Sequence, residues 1–389
     1  MRFVIALCFL AFLIQLMVSP ALADDDDGDV WTECEQCASK RNSWCVTSSE
    51  CVNGKKTAHC ETDKWGRSFL TQPIDCFDPE TPAYDHDYAV QVLAPAIASS
   101  FLDNAEQANE CMSNNNPVSA EYDVLYHQTQ QCSFIPTSTD VCKAIVAKHK
   151  TNNTVLIAYA GTIGAVQYII QGVQFLLNAV RAPLDKAIPG EVVQYYSDSF
   201  HKIYEKDLKE RVDALIDNDT NVEILGYSFG GALAASTAIY LAKINNIGPD
   251  RLKLYTIGQP RTGDMNFALQ LKQNVPNYFR IQNYIDPIPN FPSQYGTLNL
   301  IPTYYHSPHH EMTADKAVLC PYADHPDCEP HTGGESTLLT LVQNLHYHTS
   351  YFGLDLQNFY TQSQCRQNES LSVSNSSSSS NSKKRRGFG

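Results

Sequence analysis

The chain is poor in positive charge. Its 389 residues include 28 Lys and Arg against 42 Asp and Glu, so the formal net charge is −14. Proteins that bind nucleic acid need a basic face for the phosphate backbone, and this composition implies none. Nucleic acid is therefore excluded as the expected partner, whereas an uncharged ligand is compatible with the charge.

Long apolar runs are also scarce, and only the N-terminus carries one. Arg2 precedes the apolar run 3–18, and residues 21–23 have the small-x-small pattern of a cleavage site. A membrane anchor is the alternative, but the run is short, contains Gln15 and has no basic stop-transfer flank. We therefore predict a cleaved signal peptide over 1–23, a secreted extracellular protein and no transmembrane segment.

Cysteine, in contrast, is plentiful. Loss of Cys8 with the signal peptide leaves twelve of the 13 cysteines, an even number that predicts a disulfide framework outside the cell. Six of them crowd into a segment too small to fold without bridges: Cys34, Cys37, Cys45, Cys51, Cys60 and Cys76. A zinc site at Cys34-x-x-Cys37 is the weaker alternative in a secreted chain. We predict a cysteine-rich N-terminal module over 24–77 and a local Cys320–Cys328 pair.

The region 78–365 alternates helical and strand patterns. Strands are predicted at 155–159, from Val222 to the Gly-Tyr-Ser turn, at 252–257 and at 278–282, and helices at 88–110, 192–216 and 229–244. This alternation predicts an α/β domain with a mostly parallel central sheet and helices on both faces. The tail 366–389 is Ser-rich with a basic end and is predicted to be disordered. Four N-glycosylation acceptor patterns begin at Asn152, Asn218, Asn368 and Asn375.

The most informative motif is Gly226-x-Ser228-x-Gly230. An apolar strand precedes it and a helical pattern follows, which is the sequence form of a nucleophile elbow. Such a turn admits only small residues two positions either side of the serine and lifts its hydroxyl to a helix N-terminus. A tight strand–helix turn without chemistry is the alternative.

A nucleophilic serine needs a base, and the base needs an orienting carboxylate. In this fold they follow in the order Ser, Asp or Glu, His. Asp286 is the best carboxylate, because it lies just beyond the strand 278–282 in a proline-rich loop. A turn cap before proline is the structural alternative for Asp286. Asp264 is a second candidate, deeper into the loop and helix start after its own strand.

Seven histidines follow Asp286, so the presence of one is uninformative. They are His306, His309, His310, His325, His331, His346 and His348. The 306–310 cluster fits no helical pair of metal ligands, and we predict no metal site. Pattern alone does not separate His348 from His346 as the base.

An oxyanion hole needs two N–H donors. The residue after the nucleophile, Phe229, supplies one, and an earlier strand-end loop supplies the other. Ala160-Gly161-Thr162 follows the strand 155–159, and Thr162 offers both an N–H and a hydroxyl.

These segments together resemble the class 3 lipases, the secreted fungal-type triacylglycerol lipases, and especially their nematode members. The matching runs are Ile157–Thr162, Gly226–Ala232, Tyr255–Asp264, Asp286–Pro289 and His348–Gly353. The run Tyr255–Asp264, which resembles Thr-Phe-Gly-x-Pro-Arg-x-Gly, is the most specific because it carries no catalytic residue. The resemblance covers about residues 80–365 and implies an α/β-hydrolase fold.

The resemblance implies a role for individual residues. It gives Ser228, Asp286 and His348 as the catalytic triad, Thr162 and Phe229 as oxyanion donors, and it selects His348 over His346. Four positions depart from the family pattern: Ala160 stands in place of Arg, Tyr227 in place of His, Tyr347 where Asp is frequent, and Pro287 beside the triad acid.

In the family a lid follows the oxyanion strand. The corresponding segment 163–180 is apolar, and Val166, Tyr168, Ile169 and Ile170 are its candidate lid residues. A lid would cover an acyl groove in water and open at a lipid–water interface. A buried helix against the sheet is the alternative, and spacing favours neither.

The expected function is therefore that of a secreted serine hydrolase that cleaves acyl esters of lipids, as a triacylglycerol lipase does, with no metal or organic cofactor. A phospholipase A1 or another carboxylesterase on the same fold is one alternative. The other is a non-catalytic secreted protein that binds lipid or a partner.

Overall fold

The computed structural model describes residues 33–40, 42–45, 50–52, 60–61, 69–70, 76, 84–132, 141–161, 180–283, 286–292, 306, 310–313, 319–320 and 343–356. Several predicted features lie outside the described residues. They are the signal peptide, the tail 366–389, Thr162, Cys328 and the lid candidates Val166, Tyr168, Ile169 and Ile170. Within the described part, no helix is both long enough and apolar enough to span a bilayer.

The cysteine-rich segment forms a small disulfide-bonded unit. Helix α1 (Glu33–Ser39) precedes three short antiparallel strands in the order β2-β1-β3, with β1 at Ser43–Cys45, β2 at Glu50–Val52 and β3 at Phe69–Leu70. Its disulfides are Cys34–Cys76, Cys37–Cys51 and Cys45–Cys60. The predicted disulfide bonding of this segment is confirmed. The zinc alternative for Cys34 and Cys37 is wrong, because each sulfur is bonded to another cysteine.

An eight-stranded mixed sheet forms the centre of the larger region, in the order β13-β12-β11-β10-β9-β6-β5-β4. Its strands are β4 (Tyr122–Gln131), β5 (Val141–His149), β6 (Thr154–Tyr159), β9 (Asn221–Tyr227), β10 (Leu252–Ile257), β11 (Tyr278–Gln282), β12 (His310–Thr313) and β13 (Leu319–Cys320). Five neighbouring strands, β6, β9, β10, β11 and β12, pair in parallel. The strands β4, β5 and β13 pair antiparallel to their neighbours. The four predicted strands are confirmed, and the sheet is parallel at its centre.

Helices cover both faces of this sheet. They are α2 (the consecutive segments His86–Tyr88, Ala89–Leu93 and Ala94–Ser100), α3 (Ala105–Asn115), α4 (Gln194–Phe200, His201–Leu208 and Lys209–Asp213), α5 (Phe229–Lys243) and α6 (Met265–Asn274). The middle segments of α2 and α4 are π-helical. Two further strand pairs lie outside the sheet: β7 (Arg181–Pro183) with β8 (Glu191–Val193), and β14 (Ser350–Tyr351) with β15 (Leu354–Asp355).

Two helix predictions were wrong in their bounds. The predicted helix 88–110 is broken between α2 and α3, because the Asn104 side chain accepts from the Gln107 N–H and starts a new helix there. The predicted helix 192–216 begins at Gln194, because Val192 and Val193 pair with β7 as part of β8. Apolar residues at helical spacing had predicted one continuous helix in each region. A polar cap interrupts the first helix, and strand pairing shortens the second.

The core consists of two apolar layers, one on each face of the sheet. Val222 and Ile224 of β9 join the layer that contains α4 and α5, whereas Leu225 and Tyr227 join the layer that contains α2. This alternation is the two-residue period of a strand. Because helices cover both faces of the sheet, a polar site is expected at the carboxyl ends of the parallel strands.

The disulfide Cys132–Cys142 joins the end of β4 to the start of β5, and both residues are buried. We expect the variant C132A/C142A to lose about 2–3 kcal/mol of unfolding free energy, since the bridge closes a short loop in the unfolded chain. Urea denaturation of oxidised variant and wild type measures this difference. An unchanged midpoint with an unchanged slope would contradict it.

Candidate active site

Ser228 lies in a sharp reversal between β9 and α5. Its backbone has φ 55° and ψ −126°, a conformation that non-glycine residues rarely adopt. Its N–H donates to the Ile257 carbonyl of β10 at 2.8 Å, and its own carbonyl accepts from Gly231 at 2.8 Å. The strained serine is thus held by backbone bonds on both sides, with the hydroxyl at the first turn of α5.

Gly226 and Gly230 allow the backbone segments around Ser228 to pack in direct contact. A Cβ atom on Gly226 would lie 2.2 Å from the Gly230 carbonyl oxygen. A Cβ atom on Gly230 would lie 2.3 Å from the carbonyl oxygen of Ala160. Any side chain at these two positions would therefore push the start of α5 away from β9 or from the end of β6.

His348 contacts the serine hydroxyl directly. It lies in a single 3₁₀ turn, Leu345–Thr349, and is completely buried. Its Nε2 is 2.7 Å from Ser228 Oγ, and its Nδ1 is 2.7 Å from Asp286 Oδ2. Because a carboxylate only accepts, Nδ1 carries the proton and Nε2 accepts from the hydroxyl. His346, which the pattern did not separate from His348, is exposed and contacts the Gln343 carbonyl instead.

Asp286 is fixed by three donors. Its Oδ2 also accepts from the Tyr351 hydroxyl, and its Oδ1 accepts from the Ile288 N–H at 2.9 Å. Burial, and then the negative charge of Asp286, raise the pKa of Tyr351 well above its ordinary value. Tyr351 therefore stays protonated and remains a donor. The carboxylate keeps one orientation toward the imidazole.

The alternative carboxylate, Asp264, has a different position and task. It is the N-cap of α6, where it accepts from the Phe267 N–H at 2.9 Å, and it lies 3.6 Å from the Arg181 guanidinium. It contacts neither Ser228 nor His348 in the part of the chain that the structure describes.

The loop that carries Asp286 is anchored by buried cationic and aromatic groups. Arg261 Nη1 donates to the Asn290 carbonyl at 2.6 Å and to the Pro292 carbonyl at 3.0 Å. His306 Nε2 donates to the Pro289 carbonyl at 2.7 Å. Burial, followed by the charges of Arg280 and Arg261, lowers the pKa of His306 well below its ordinary value. This imidazole is therefore neutral in the folded protein.

The oxyanion candidates are described only in part. Phe229 is the first residue of α5, so its N–H has no acceptor inside the helix. It stands at the positive end of the helix dipole, beside the serine hydroxyl. Gly161 is buried, and a Cβ atom there would lie 3.2 Å from Ser228 Cβ. Gly161 therefore approaches the serine, whereas Thr162 lies outside the described residues.

Three residues at this site were given no task by the sequence. Gly258, at the end of β10, has φ +57°, and a Cβ there would lie 2.8 Å from His348 Cε1 and 2.9 Å from Asp286 Oδ2. Tyr351 contacts the carboxylate, and Tyr227 donates to the His348 carbonyl at 2.7 Å. All three lie in runs that resemble the family pattern. The sequence therefore marked their positions as part of a motif, but it did not indicate what their side chains contact.

The described residues contain no group of three or more His, Cys, Asp or Glu side chains arranged to hold a metal ion. His306 uses its Nε2 to bind the Pro289 carbonyl.

Replacement of Gly230 by Ala tests the close approach of α5 to β6. We expect the variant G230A to lose about 3 kcal/mol or more of stability, because the Ala160 carbonyl cannot accommodate a Cβ at 2.3 Å. The matched control is G248A, where nothing lies within 4 Å of the added Cβ. That control should stay within about 1 kcal/mol of wild type. Equal thermal midpoints for the two variants would contradict the packing argument.

The buried His306 predicts a pH dependence of stability. Below its ordinary pKa of about 6.5, the unfolded chain binds a proton that the folded imidazole does not. Unfolding free energy should therefore fall as pH drops below about 6.5, by up to ~1.4 kcal/mol per pH unit from this group. His306→Gln, which keeps an N–H donor, should flatten that slope between pH 5 and 6.5. His346→Gln, at an exposed position, is the control that leaves the slope unchanged in urea titrations.

Comparison with known proteins agrees with this architecture. The family model of lipase (class 3) matches residues 156–296, a segment that contains Ser228 and Asp286 and ends before His348. A curated lipase of Caenorhabditis elegans is 22% identical over 226 residues, which cover 58% of this chain. The match spans 61% of the length of that relative.

Solved structures show the same fold. A triacylglyceride lipase of Rhizomucor miehei superposes with a TM-score of 0.52 at 20% identity, covering 70% of this chain and 97% of that one. A lipase of Rhizopus microsporus var. chinensis has a TM-score of 0.52 at 17% identity, covering 75% and 94%. At these identities the likeness is one of fold, the α/β-hydrolase arrangement of sheet and helices. Together with the family-model match over residues 156–296, it makes this chain similar in fold and in that segment to the class 3 lipases.

Proposed function

We propose that this protein is a serine hydrolase that cleaves acyl esters of lipids through a Ser228–His348–Asp286 triad. One observation carries the proposal: a buried, unbroken chain of contacts runs from the Ser228 hydroxyl through the imidazole to the carboxylate, at 2.7 Å for each step. A free serine hydroxyl is a poor nucleophile, and a base within hydrogen-bond reach is what activates it.

The first step is attack of Ser228 Oγ on the ester carbonyl. His348 Nε2 takes the hydroxyl proton as the new C–O bond forms, and the imidazole becomes positively charged. Asp286 holds the Nδ1–H and stabilises that charge, while Tyr351 and the Ile288 N–H keep the carboxylate in place. Because His348 and Asp286 are fully buried, water does not screen this interaction.

The negative charge that develops on the carbonyl oxygen needs fixed donors. The Phe229 N–H, at the start of a 15-residue helix, is the donor we assign from the described residues. Thr162 is the second donor implied by the family pattern. Collapse of the tetrahedral intermediate expels the alcohol, which receives its proton from His348 Nε2.

The second half of the reaction releases the acyl group. Water takes the place of the alcohol, His348 removes its proton, and attack on the acyl-enzyme regenerates Ser228 and frees the carboxylic acid. Apart from the ester and water, every group used in these steps is a side chain or a backbone N–H of this chain.

The relatives support a lipid ester as the substrate class. The curated relative is named a lipase, and the Rhizomucor miehei protein is described as a triacylglyceride lipase. We infer export from the cell because the disulfides Cys34–Cys76, Cys37–Cys51, Cys45–Cys60 and Cys132–Cys142 belong to an oxidising compartment. The acceptor sites Asn152 and Asn218 are exposed, as glycosylation requires.

Ser228→Ala is the direct test. We expect kcat on both short and long acyl esters to fall by about 10⁴-fold or more, because the nucleophile is removed. The matched control is Ser236→Ala, a buried serine of the same helix whose hydroxyl donates to the Ala232 carbonyl at 2.9 Å. It should retain wild-type turnover in ester hydrolysis assays. Undiminished hydrolysis by the Ser228 variant would overturn the proposal.

The same assays test the base and its partner with paired variants. His348→Ala and Asp286→Asn should each lose several orders of magnitude in kcat. His346→Ala and Asp264→Asn should lose little, since their side chains lie in the exposed turn and at the cap of α6. Fluorophosphonate labelling of Ser228 distinguishes an enzyme from a lipid-binding protein without turnover. A panel of triacylglycerols, phospholipids and soluble esters then separates a triacylglycerol lipase from a phospholipase A1 or a carboxylesterase.

A further inference from the structure

The residue immediately before the nucleophile contacts the base. Tyr227 ends β9, is 3% exposed, and its ring stacks on the His348 imidazole with centroids 5.0 Å apart and planes 23° from parallel. Its hydroxyl donates to the His348 main-chain carbonyl at 2.7 Å. One side chain therefore contacts both the face of the imidazole and the backbone that carries it.

From these contacts we propose that Tyr227 is a positioning residue of the proton relay: it fixes His348 through the carbonyl and stabilises the imidazolium through its ring. This inference rests on the proposed function, in which His348 becomes positively charged during turnover. It concerns a position where this chain departs from the histidine that the class 3 pattern places before the nucleophile.

The stacked geometry places the face of the tyrosine ring against the imidazole. An aromatic face carries negative charge density and attracts a cation within about 6 Å of its centroid, more strongly where water is absent. His348 is completely buried, and its two ring nitrogens already contact Ser228 and Asp286. Tyr227 covers one face of the ring and so lies against the charge that His348 acquires in the proposed function.

The tyrosine ring is also confined by neighbours other than His348. A Cβ atom on Gly161 would lie only 2.7 Å from Tyr227 Cδ1, so the ring packs directly against this glycine. Phe101 packs nearby, with ring centroids 6.3 Å apart. Tyr227 thus fills the space between Gly161, which follows β6, and His348. Its ring has little freedom to move.

The contact between Tyr227 and His348 joins two distant parts of the chain, because His348 lies far along the sequence from Ser228. The Tyr227–His348 bond joins positions 121 residues apart, and one of them is bonded to Ser228 by a peptide bond. Any displacement of the 3₁₀ turn Leu345–Thr349 would have to break this hydrogen bond or unstack the rings. Sub-ångström placement of a general base has large effects on rate.

Two substitutions separate the hydroxyl from the ring. Tyr227→Phe keeps the stack and removes the donor to the His348 carbonyl. We expect kcat to fall about 2- to 10-fold, the effect of one hydrogen bond, with KM and the acid limb of the pH profile nearly unchanged. Pentafluorophenylalanine at position 227 keeps the approximate shape of Phe and reverses the charge distribution of the ring.

Relative to Tyr227→Phe, the fluorinated ring should lower plateau kcat a further 3- to 30-fold. A less stable imidazolium also leaves the base neutral to lower pH, so the acid limb of kcat should move down by about 0.5–1.5 pH units. A merely structural role for the ring would move neither the limb nor the ratio between these two variants.

The matched control is Tyr159, a buried tyrosine of β6 whose hydroxyl is 2.8 Å from Thr237 Oγ1 of α5 and which belongs to the apolar layer on the other face of the sheet from Tyr227. Phenylalanine and pentafluorophenylalanine at position 159 should reproduce any loss of stability while leaving kcat and its pH profile unchanged. Equal pH profiles and equal kcat for the two position-227 variants would overturn the proposal. So would rate losses no larger than those of the position-159 pair.

Failure of the proposed function is distinguishable from failure of this inference. If the wild-type protein neither hydrolyses esters nor reacts with a fluorophosphonate, the triad has no activity. The imidazole of His348 can still be titrated by NMR in histidine-labelled protein, with its signals assigned through His348→Gln. A downward shift of that titration from phenylalanine to its fluorinated analogue at position 227 supports the inference without turnover, and coincident titrations overturn it.

Discussion

The whole site depends on the contact between the end of β9 and the start of α5. The chain reverses within one residue, Ser228, whose unfavourable backbone conformation is held by hydrogen bonds to β10 and to the helix. The reversal is possible only because Gly226 and Gly230 bring backbone against backbone, where a Cβ would clash at 2.2–2.3 Å. This steric constraint places the serine hydroxyl at the first turn of α5, so in the proposed function the reacting atom lies next to the Phe229 N–H at the start of the helix.

Around that turn, parallel strand ends supply the remaining parts. The strands β9, β10 and β11 lie side by side in register and open at one edge of the sheet. Ser228 follows β9, Gly258 follows β10, and the loop with Asp286 follows β11. His348 then enters from a single turn near the C-terminal end of the domain and fills the space that Gly258 leaves open. The hydroxyl of Ser228, the imidazole of His348 and the carboxylate of Asp286 are all buried and hydrogen-bonded to one another, which is why this chain of polar groups is tolerated away from water.

Sequence reasoning succeeded where a local rule was sufficient. Apolar runs covered on both faces predicted strands β6, β10 and β11, and the glycines around Ser228 predicted the turn. It failed where a distant or polar contact decided the local structure. Asn104 divides one predicted helix by capping the next, and β8 takes two residues from another through pairing with β7. The antiparallel strands β4 and β5 were not predicted, and the sheet is mixed as a result.

The sequence by itself determined the nucleophile turn, the presence of disulfides and the family pattern, because each depends on residue types at short spacing. It did not separate His348 from His346 by pattern, because both histidines stand in the same short run and only burial distinguishes them. It also gave no task to Gly258, Tyr351 or Tyr227. The hydrogen bonds of Tyr351 and Tyr227 join residues 65 and 121 positions apart, and such proximity exists only once the sheet has formed around the site. The tertiary structure decided these points because hydrogen bonding and stacking depend on distance in space, which sequence spacing does not encode across a loop.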